Sequence, residues 1–372
     1  MATLSVSRRT RKTPFTTRVE ALGVSAYTVY NNMLLATCFR SFEADYWHLC
    51  QHVQVWDVSC ERQVQIKGPD AFKLVQLMTP RNLSKAQDDQ CFYVPLCDQN
   101  GKMVNDPIAI HIETDTWWLS IADSDVQLWA KGLATGLAFD VEVCETDIWP
   151  VAIQGPKADE LMRRVFGEVV DEIRFFRYKH LDYNGHRFIV SRSGWSKQGG
   201  FEVYVDDAEL GCQLWDELFE KGTDLNVGPG CPNIIERIES GLLSFGNDMD
   251  FRHTPLQCGL RKYCHLDQDI DSLSIEALRK QEAVGVPSRL MGLIAVGLND
   301  IPDSKTVFID TKPAGEVYSD CLSPRYGAYL AFAELDSKII EEVLHNEGNG
   351  LTLNINDERY PVRCTELPFD FN

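Results

Sequence analysis

Within SGWSKQGGFEVYV (193–205) a tryptophan, a lysine, two adjacent glycines, a carboxylate and a tyrosine sit between runs with strand character. Alternation along GFEVYV sets Glu202 and Tyr204 on one side and Phe201, Val203 and Val205 on the other. If that polar side meets water, it carries no special chemistry. If it lines a cavity, the carboxylate can accept paired hydrogen bonds from an amidine-like heterocyclic edge. Trp195, after Gly194, reads as a core aromatic or, beside a cavity, as a face for an onium group, an attraction on the order of 0.5–2 kcal/mol.

Asp106 lies in VNDPIAI, where Pro107 restricts it to extended geometry; it can cap a turn or present its carboxylate to a ligand. His48 and His52 are four apart on a possible helix, but Leu49, Cys50 and Gln51 between them supply no carboxylate for an HExxH zinc site. Metal binding is therefore not expected. GxSxG, GxxxxGK[ST] and a strand-led GxGxxG are absent, which argues against a serine hydrolase, a P-loop enzyme and a dinucleotide oxidoreductase.

The chain of 372 residues carries 36 Lys and Arg against 55 Asp and Glu, a formal charge of −19. Such a field disfavours a phosphate backbone, so nucleic acid is an unexpected partner. Its length suggests two or three domains. The twelve cysteines are scattered without a CxxC, which indicates reduced thiols in a cytoplasmic protein. LMGLIAVGL (290–298) is too short to span a bilayer, and no apolar stretch follows the basic SRRTRK (7–12). That basic start reads as a tethering arm, and neither export nor membrane association is expected.

The elements that must position these groups follow from periodicity. SFEADYWHLCQHVQ (41–54) spaces Phe42, Tyr46, Leu49 and Val53 as a helix. ERQVQIKG (61–68) alternates as a strand, turns at Gly68-Pro69-Asp70 and enters the helical AFKLVQLM. The same order returns in VAIQGPKADELMRRVFG (151–167), so two related α+β units are expected. FYVPLCDQNGKMVNDPIAIHI (92–112) reads as a hairpin with a DQNG turn, TWWLSIAD (116–123) as a strand and ERIESGLLSF (236–245) as a helix. The last ninety or so residues read as short strands of a small β-rich domain.

DVSCERQVQIKGPDA (57–71), VNDPIAI (104–110), VAIQGPKA (151–158), SGWSKQGGFEVYV, ERIESGLLSFGNDMD (236–250) and GEVYSDCLSPRYG (315–327) resemble, in order and spacing, the glycine-cleavage T-protein or aminomethyltransferase family. The resemblance runs from about residue 20 to about residue 365. It implies an α+β fold of three domains around a central folate cavity. Residues 1–51 and 146–250 would form a discontinuous folate-binding domain, 52–145 a second, interleaved antiparallel α+β domain, and 280–372 a β-rich, jelly-roll or barrel-like domain. It further implies tetrahydrofolate as one-carbon acceptor, without a metal. Asp106 would lie near the reactive pterin nitrogen, Glu202 on the pyrimidine edge and Arg237 near the glutamyl tail. The residues themselves leave Arg237 the alternative of a surface ion pair with Glu236 or Glu239.

Where the family carries a tyrosine and TGE, this chain has Trp195-Ser196-Lys197-Gln198, which points to a changed donor. Together with RKTPF, GVSAYTVYNNMLL and WWLSIADSD, this motif resembles the branch of the family that demethylates dimethylsulfoniopropionate. The resemblance then implies Trp195 against the sulfonium and Tyr30, Ser120 and Tyr204 as donors to the substrate carboxylate, with Lys197 assisting or pointing into solvent. Asp106 and Trp195 would be the catalytic pair. The implied partners are the sulfonium and folate, with room for a homodimer. Another folate-dependent methyl or aminomethyl transferase and a non-catalytic folate-binding regulator are the alternatives.

Overall fold

A computed structural model describes residues 7–298, 300–302, 304–355 and 358–369. The chain divides into two compact units. One runs to Leu74 and adds Lys85–Tyr93 and Pro107–Asn233; the other is Val75–Ser84, Val94–Asp106 and the chain from Ile234 onward.

Two large sheets and a two-stranded hairpin, Ala26–Tyr30 with Met33–Cys38, build the first unit. The smaller is antiparallel, in the spatial order Glu142–Glu145, Gln63–Lys67, Thr116–Ser120, Ile108–Glu113, Cys91–Tyr93. The larger is ordered Tyr178–Tyr183, His186–Ser191, Gly200–Val205, Trp149–Gln154, Val53–Asp57, Val227–Pro229, antiparallel except for its last pair. One face of the larger sheet, with Val55, Ile153, Phe201 and Val203, packs on Leu161, Met162, Leu214 and Trp215 of the helices Ala158–Phe166 and Ala208–Lys221. Each such side chain contributes about 1.5–3 kcal/mol on burial. Its other face presents Ile189 and Tyr204 to Ile110, Trp118 and Cys91 of the smaller sheet. Gly200–Val205 is consequently buried on both faces, which excludes the water-facing reading of Glu202 and Tyr204.

The repeated strand-GP-helix order is real, and its glycines have a physical reason. Gly155 has φ +125°, and a Cβ there would lie 2.4 Å from the His52 carbonyl oxygen; at Gly68, φ +140°, the corresponding distance to the Asp140 carbonyl oxygen is 2.5 Å. Only glycine admits that approach. The helices that follow are Ala71–Met78 and Ala158–Phe166.

Three expectations need correction. The helix expected over 41–54 spans Phe42–Gln51, capped by Ser41, and Val53–Asp57 is an interior strand of the larger sheet. The apolar run VQVW has too few residues for its period to separate helix from strand, and its valines and tryptophan suit the buried sheet. The hairpin expected over 92–112 is broken into two ladders, Cys91–Tyr93 with Ile108–Glu113 and Leu96–Cys97 with Met103–Asn105. Pro95 and Pro107, lacking an N–H, stand at the two breaks. The helix expected over 236–245 is Ile234–Glu239 and stops before Gly241, whose φ is +69°.

In the second unit a six-stranded barrel closes in the order Ser288–Val296, Ala328–Asp336, Lys312–Ser323, Thr306–Ile309, Leu351–Ile355, Glu358–Thr365. This is the expected β-rich C-terminal region, and closure leaves it no open edge. Met291, Leu293, Tyr329, Ala331 and Leu353 belong to its core, with Ile340 and Val343 from the helix Ser337–His345. Within the basic start, Arg11 Nη1 donates to Glu145 at 2.6 Å and its backbone N–H to the Asn32 carbonyl at 2.7 Å. Among the described residues no helix is long and apolar enough to cross a membrane.

Candidate functional site

Glu202 sits on an interior strand of the larger sheet with 7 % of its surface exposed. Its register partners are Ala152 on one side and Ser191 on the other. Ser193 donates its hydroxyl to the carboxylate and shares a hydrogen bond with Ser191. Among the described residues the carboxylate is thus answered by a hydroxyl and not by a cation. Burial pushes Glu202 above the usual carboxylate range, and the Ser193 bond pulls partly against that rise. Tyr204, two residues on and 3 % exposed, is held as the neutral phenol by burial and then by Glu202. Cys91 is a buried thiol raised by the same two causes.

Trp195, half-buried, lies on the loop that joins His186–Ser191 to Gly200–Val205. Gln154, fully buried, staples this loop on both sides of the tryptophan. Its Nε2 donates to the Ser193 carbonyl at 3.0 Å, and its Oε1 accepts from Ser196 Oγ at 2.8 Å. The glycine at 194 makes room, because with φ +137° a Cβ there would lie 1.9 Å from Gln154 Nε2. Lys197, in the same loop, is exposed.

On the smaller sheet Ser120, 7 % exposed, stands opposite both Gln63 and Ile108 in register. Gln63 Nε2 donates to Ser120 Oγ at 2.9 Å. Trp118, on the same face by alternation, brings its ring to 6.2 Å from Tyr204. The half-buried Tyr30 ends the strand Ala26–Tyr30, which turns through Asn31 and Asn32, at φ 48° and 62°, into Met33–Cys38. Asn31 Nδ2 donates to the carbonyls of Cys60 (2.9 Å), Ala122 (3.2 Å) and Ile121 (3.3 Å), and Asp123 accepts the Asn31 N–H at 3.0 Å. The hairpin tip that carries Tyr30 is therefore fastened to the residues just after Ser120.

Tyr30, Ser120, Trp195, Glu202 and Tyr204 all belong to the first unit; Asp106 and Arg237 belong to the second. Asp106, half-buried, follows Met103–Asn105, and its N–H donates to Asn105 Oδ1 at 3.0 Å. Arg237 is not on the surface. It is 4 % exposed, donates to Asp248 Oδ2 at 2.8 Å and to Ser319 Oγ at 2.7 Å, and lies 5.7 Å above the Phe332 ring. Such a pair, each ion desolvated, persists only with its hydrogen bonds in place.

Gln63, Gln154, Ser193 and Asn31 escape a reading by motif. Asn31-Asn32 carries the one local signal, since consecutive asparagines tolerate the left-handed conformation of a tight hairpin. Among the described residues no group of His, Cys, Asp and Glu could hold a metal ion.

The model of the GCVT N-terminal domain matches residues 15–268. The chain is 51% identical over 339 residues to the dimethylsulfoniopropionate demethylase DmdA of Ruegeria pomeroyi, covering 90% of this chain and 92% of that one. It is 28% identical over 323 residues to an aminomethyltransferase of Caldanaerobacter subterraneus, covering 83% of this chain and 85% of that one. The crystal structure of glycine cleavage system aminomethyltransferase T from Bartonella henselae shares its fold, with a TM-score of 0.84 at 18% identity over 97% of this chain and 98% of that one. Matched over most of its length by the domain model and by these relatives, the chain belongs to the glycine-cleavage T-protein family.

Proposed function

We propose that the protein transfers a methyl group from dimethylsulfoniopropionate to tetrahydrofolate, giving 3-methylthiopropionate and 5-methyltetrahydrofolate. The observation that carries this reading is the pairing, in one unit, of a buried carboxylate without a cationic partner among the described residues and a tryptophan held by a fastened loop, in a chain akin to a relative named for that demethylation. A carboxylate so placed fits the donor edge of a pterin, whose amino group and ring N–H can donate to its two oxygens beside the Ser193 bond. Tetrahydrofolate supplies a neutral nitrogen as methyl acceptor.

The reaction needs no nucleophile from the chain. The bond from sulfur to one methyl carbon breaks with its electron pair left on sulfur, a bond from that carbon to nitrogen forms, and the nitrogen then gives up its proton. Trp195 offers its ring to the sulfonium, and the attraction persists while positive charge is shared among sulfur, carbon and nitrogen. Tyr30, Ser120 and Tyr204 donate to the propionate carboxylate and fix the donor against translation. Asp106 orients the reactive nitrogen or takes its proton, and Arg237 serves the glutamyl tail. Holding the three atoms in line is worth several kcal/mol of the barrier. Lys197, exposed in the structure, has no assigned role. The same reading makes the protein a cytoplasmic enzyme of small molecules, in three domains of which the two α+β domains interleave, and with a homodimer as its assembly.

Incubation of the purified protein with dimethylsulfoniopropionate and tetrahydrofolate, followed by mass analysis of the folate, tests the proposal. A methyl-folate product is expected. Turnover of an aminomethyl-lipoyl donor instead would assign the protein to glycine cleavage, and folate binding without any turnover would make it a regulator.

A further inference from the structure

We infer that Gln63 is a positioning residue that fixes the hydrogen-bond polarity of Ser120, so that the Ser120 proton is kept for its ligand and the site favours a donor bearing an anionic oxygen. The inference rests on the assignment of Ser120 to the substrate carboxylate.

Gln63 is fully buried and stands opposite Ser120 across the Gln63–Lys67 and Thr116–Ser120 ladder. Its amide spends both hydrogens, one on the Glu61 carbonyl at 2.7 Å and one on Ser120 Oγ at 2.9 Å. Among the described residues its own oxygen finds no hydrogen-bond partner. That arrangement is costly, because a buried acceptor left unpaired forfeits its hydration. It is also the orientation the surroundings permit, since turning the amide over would set its oxygen against the Glu61 carbonyl oxygen. The carbonyl therefore fixes the amide, and the amide fixes the serine. A hydroxyl has one proton and two lone pairs. With its oxygen already accepting from Gln63, and no acceptor among the described residues taking its proton, Ser120 keeps that proton for a ligand, beside one remaining lone pair. A carboxylate, which only accepts, matches that proton; an ammonium group, which only donates, would leave it unanswered.

The test is steady-state kinetics of the full chain with dimethylsulfoniopropionate and tetrahydrofolate, beside thermal unfolding. Ser120→Ala should raise KM for the sulfonium about ten- to hundredfold, with KM for folate and kcat close to the parent's. Gln63→Glu accepts where the amide donates and so consumes the serine proton; it should reproduce that rise, and the double variant should be no worse than Ser120→Ala alone. Gln63→Met, which keeps the volume and leaves the hydroxyl free to rotate, should show a smaller rise of the same kind. If Gln63→Glu does not fold, Gln63→Met decides. Unchanged sulfonium KM in the Gln63 variants, beside a raised one in Ser120→Ala, overturns the inference. A uniform loss across kcat and both KM values would make Gln63 a packing residue and overturn it too. An unchanged KM in Ser120→Ala would instead strike the carboxylate assignment itself.

Discussion

Glu202 and Trp195 carry the two halves of the chemistry, so their variants should fail differently. Trp195→Ala removes the face offered to the cation, and demethylation should fall at least about tenfold while folate binding, read by equilibrium dialysis, survives. Glu202→Gln should weaken folate binding about ten- to hundredfold, because a charge-assisted pair of hydrogen bonds becomes a mixed one. Equal loss of both properties in both variants would remove this division. The pH dependence follows from the burial of Glu202, which lifts its folded pKa above the ordinary 4.5. Between those two values the native state binds more protons than the unfolded chain, so stability without ligand falls as pH rises through the window. Pterin donors favour the ionised carboxylate, so folate affinity rises over the same interval. Thermal unfolding and folate titration across that interval should show opposite slopes, both flattened in Glu202→Gln.

The loop from Gly194 to Gly199 acts as an element because Gln154, on the neighbouring strand, ties it on both sides of Trp195, at Ser193 and at Ser196. Gln154→Ala deletes the bonds to the Ser193 carbonyl and Ser196 hydroxyl and leaves the cavity of the lost amide. A stability loss of about 1–3 kcal/mol in urea unfolding is expected, with demethylation reduced more than folate binding. An activity loss no larger for the donor than for folate would show that the loop does not need its staple. Local grammar made much of this scale legible. Strand, glycine, proline and helix follow one another within a few residues, and the glycines announce a close backbone approach. The fate of the polar face of Gly200–Val205 was not legible, since it depends on the smaller sheet covering it. Arg237 could be taken for a surface cation because its partners, Asp248 and Ser319, lie 11 and 82 residues away. Gln63 and Gln154 left no trace either, for a glutamine's role is set by what faces its amide and not by its neighbours in sequence.

At the scale of the molecule the formal charge of −19 acts on the two substrates unequally. Dimethylsulfoniopropionate is a zwitterion without net charge at neutral pH, whereas tetrahydrofolate carries the carboxylates of its glutamyl tail. An acidic field slows the approach of an anion, and salt relieves it as the Debye length shrinks from about 30 Å at 0.01 M to about 8 Å at 0.15 M. The association rate of tetrahydrofolate, followed by tryptophan fluorescence in stopped flow, should therefore rise about two- to fivefold over that range. Folates with longer glutamyl tails should gain more, and the rate for the sulfonium should change little. A folate rate that falls with salt would mean that local cations govern its approach instead of the acidic surface. Buried Arg237 is a poor source of such steering, because Asp248 beside it cancels most of its field at a distance. The expected sign thus follows from where the positive charge is: the cation assigned to the folate tail is paired inside the protein, and the unpaired excess that an approaching anion meets is negative.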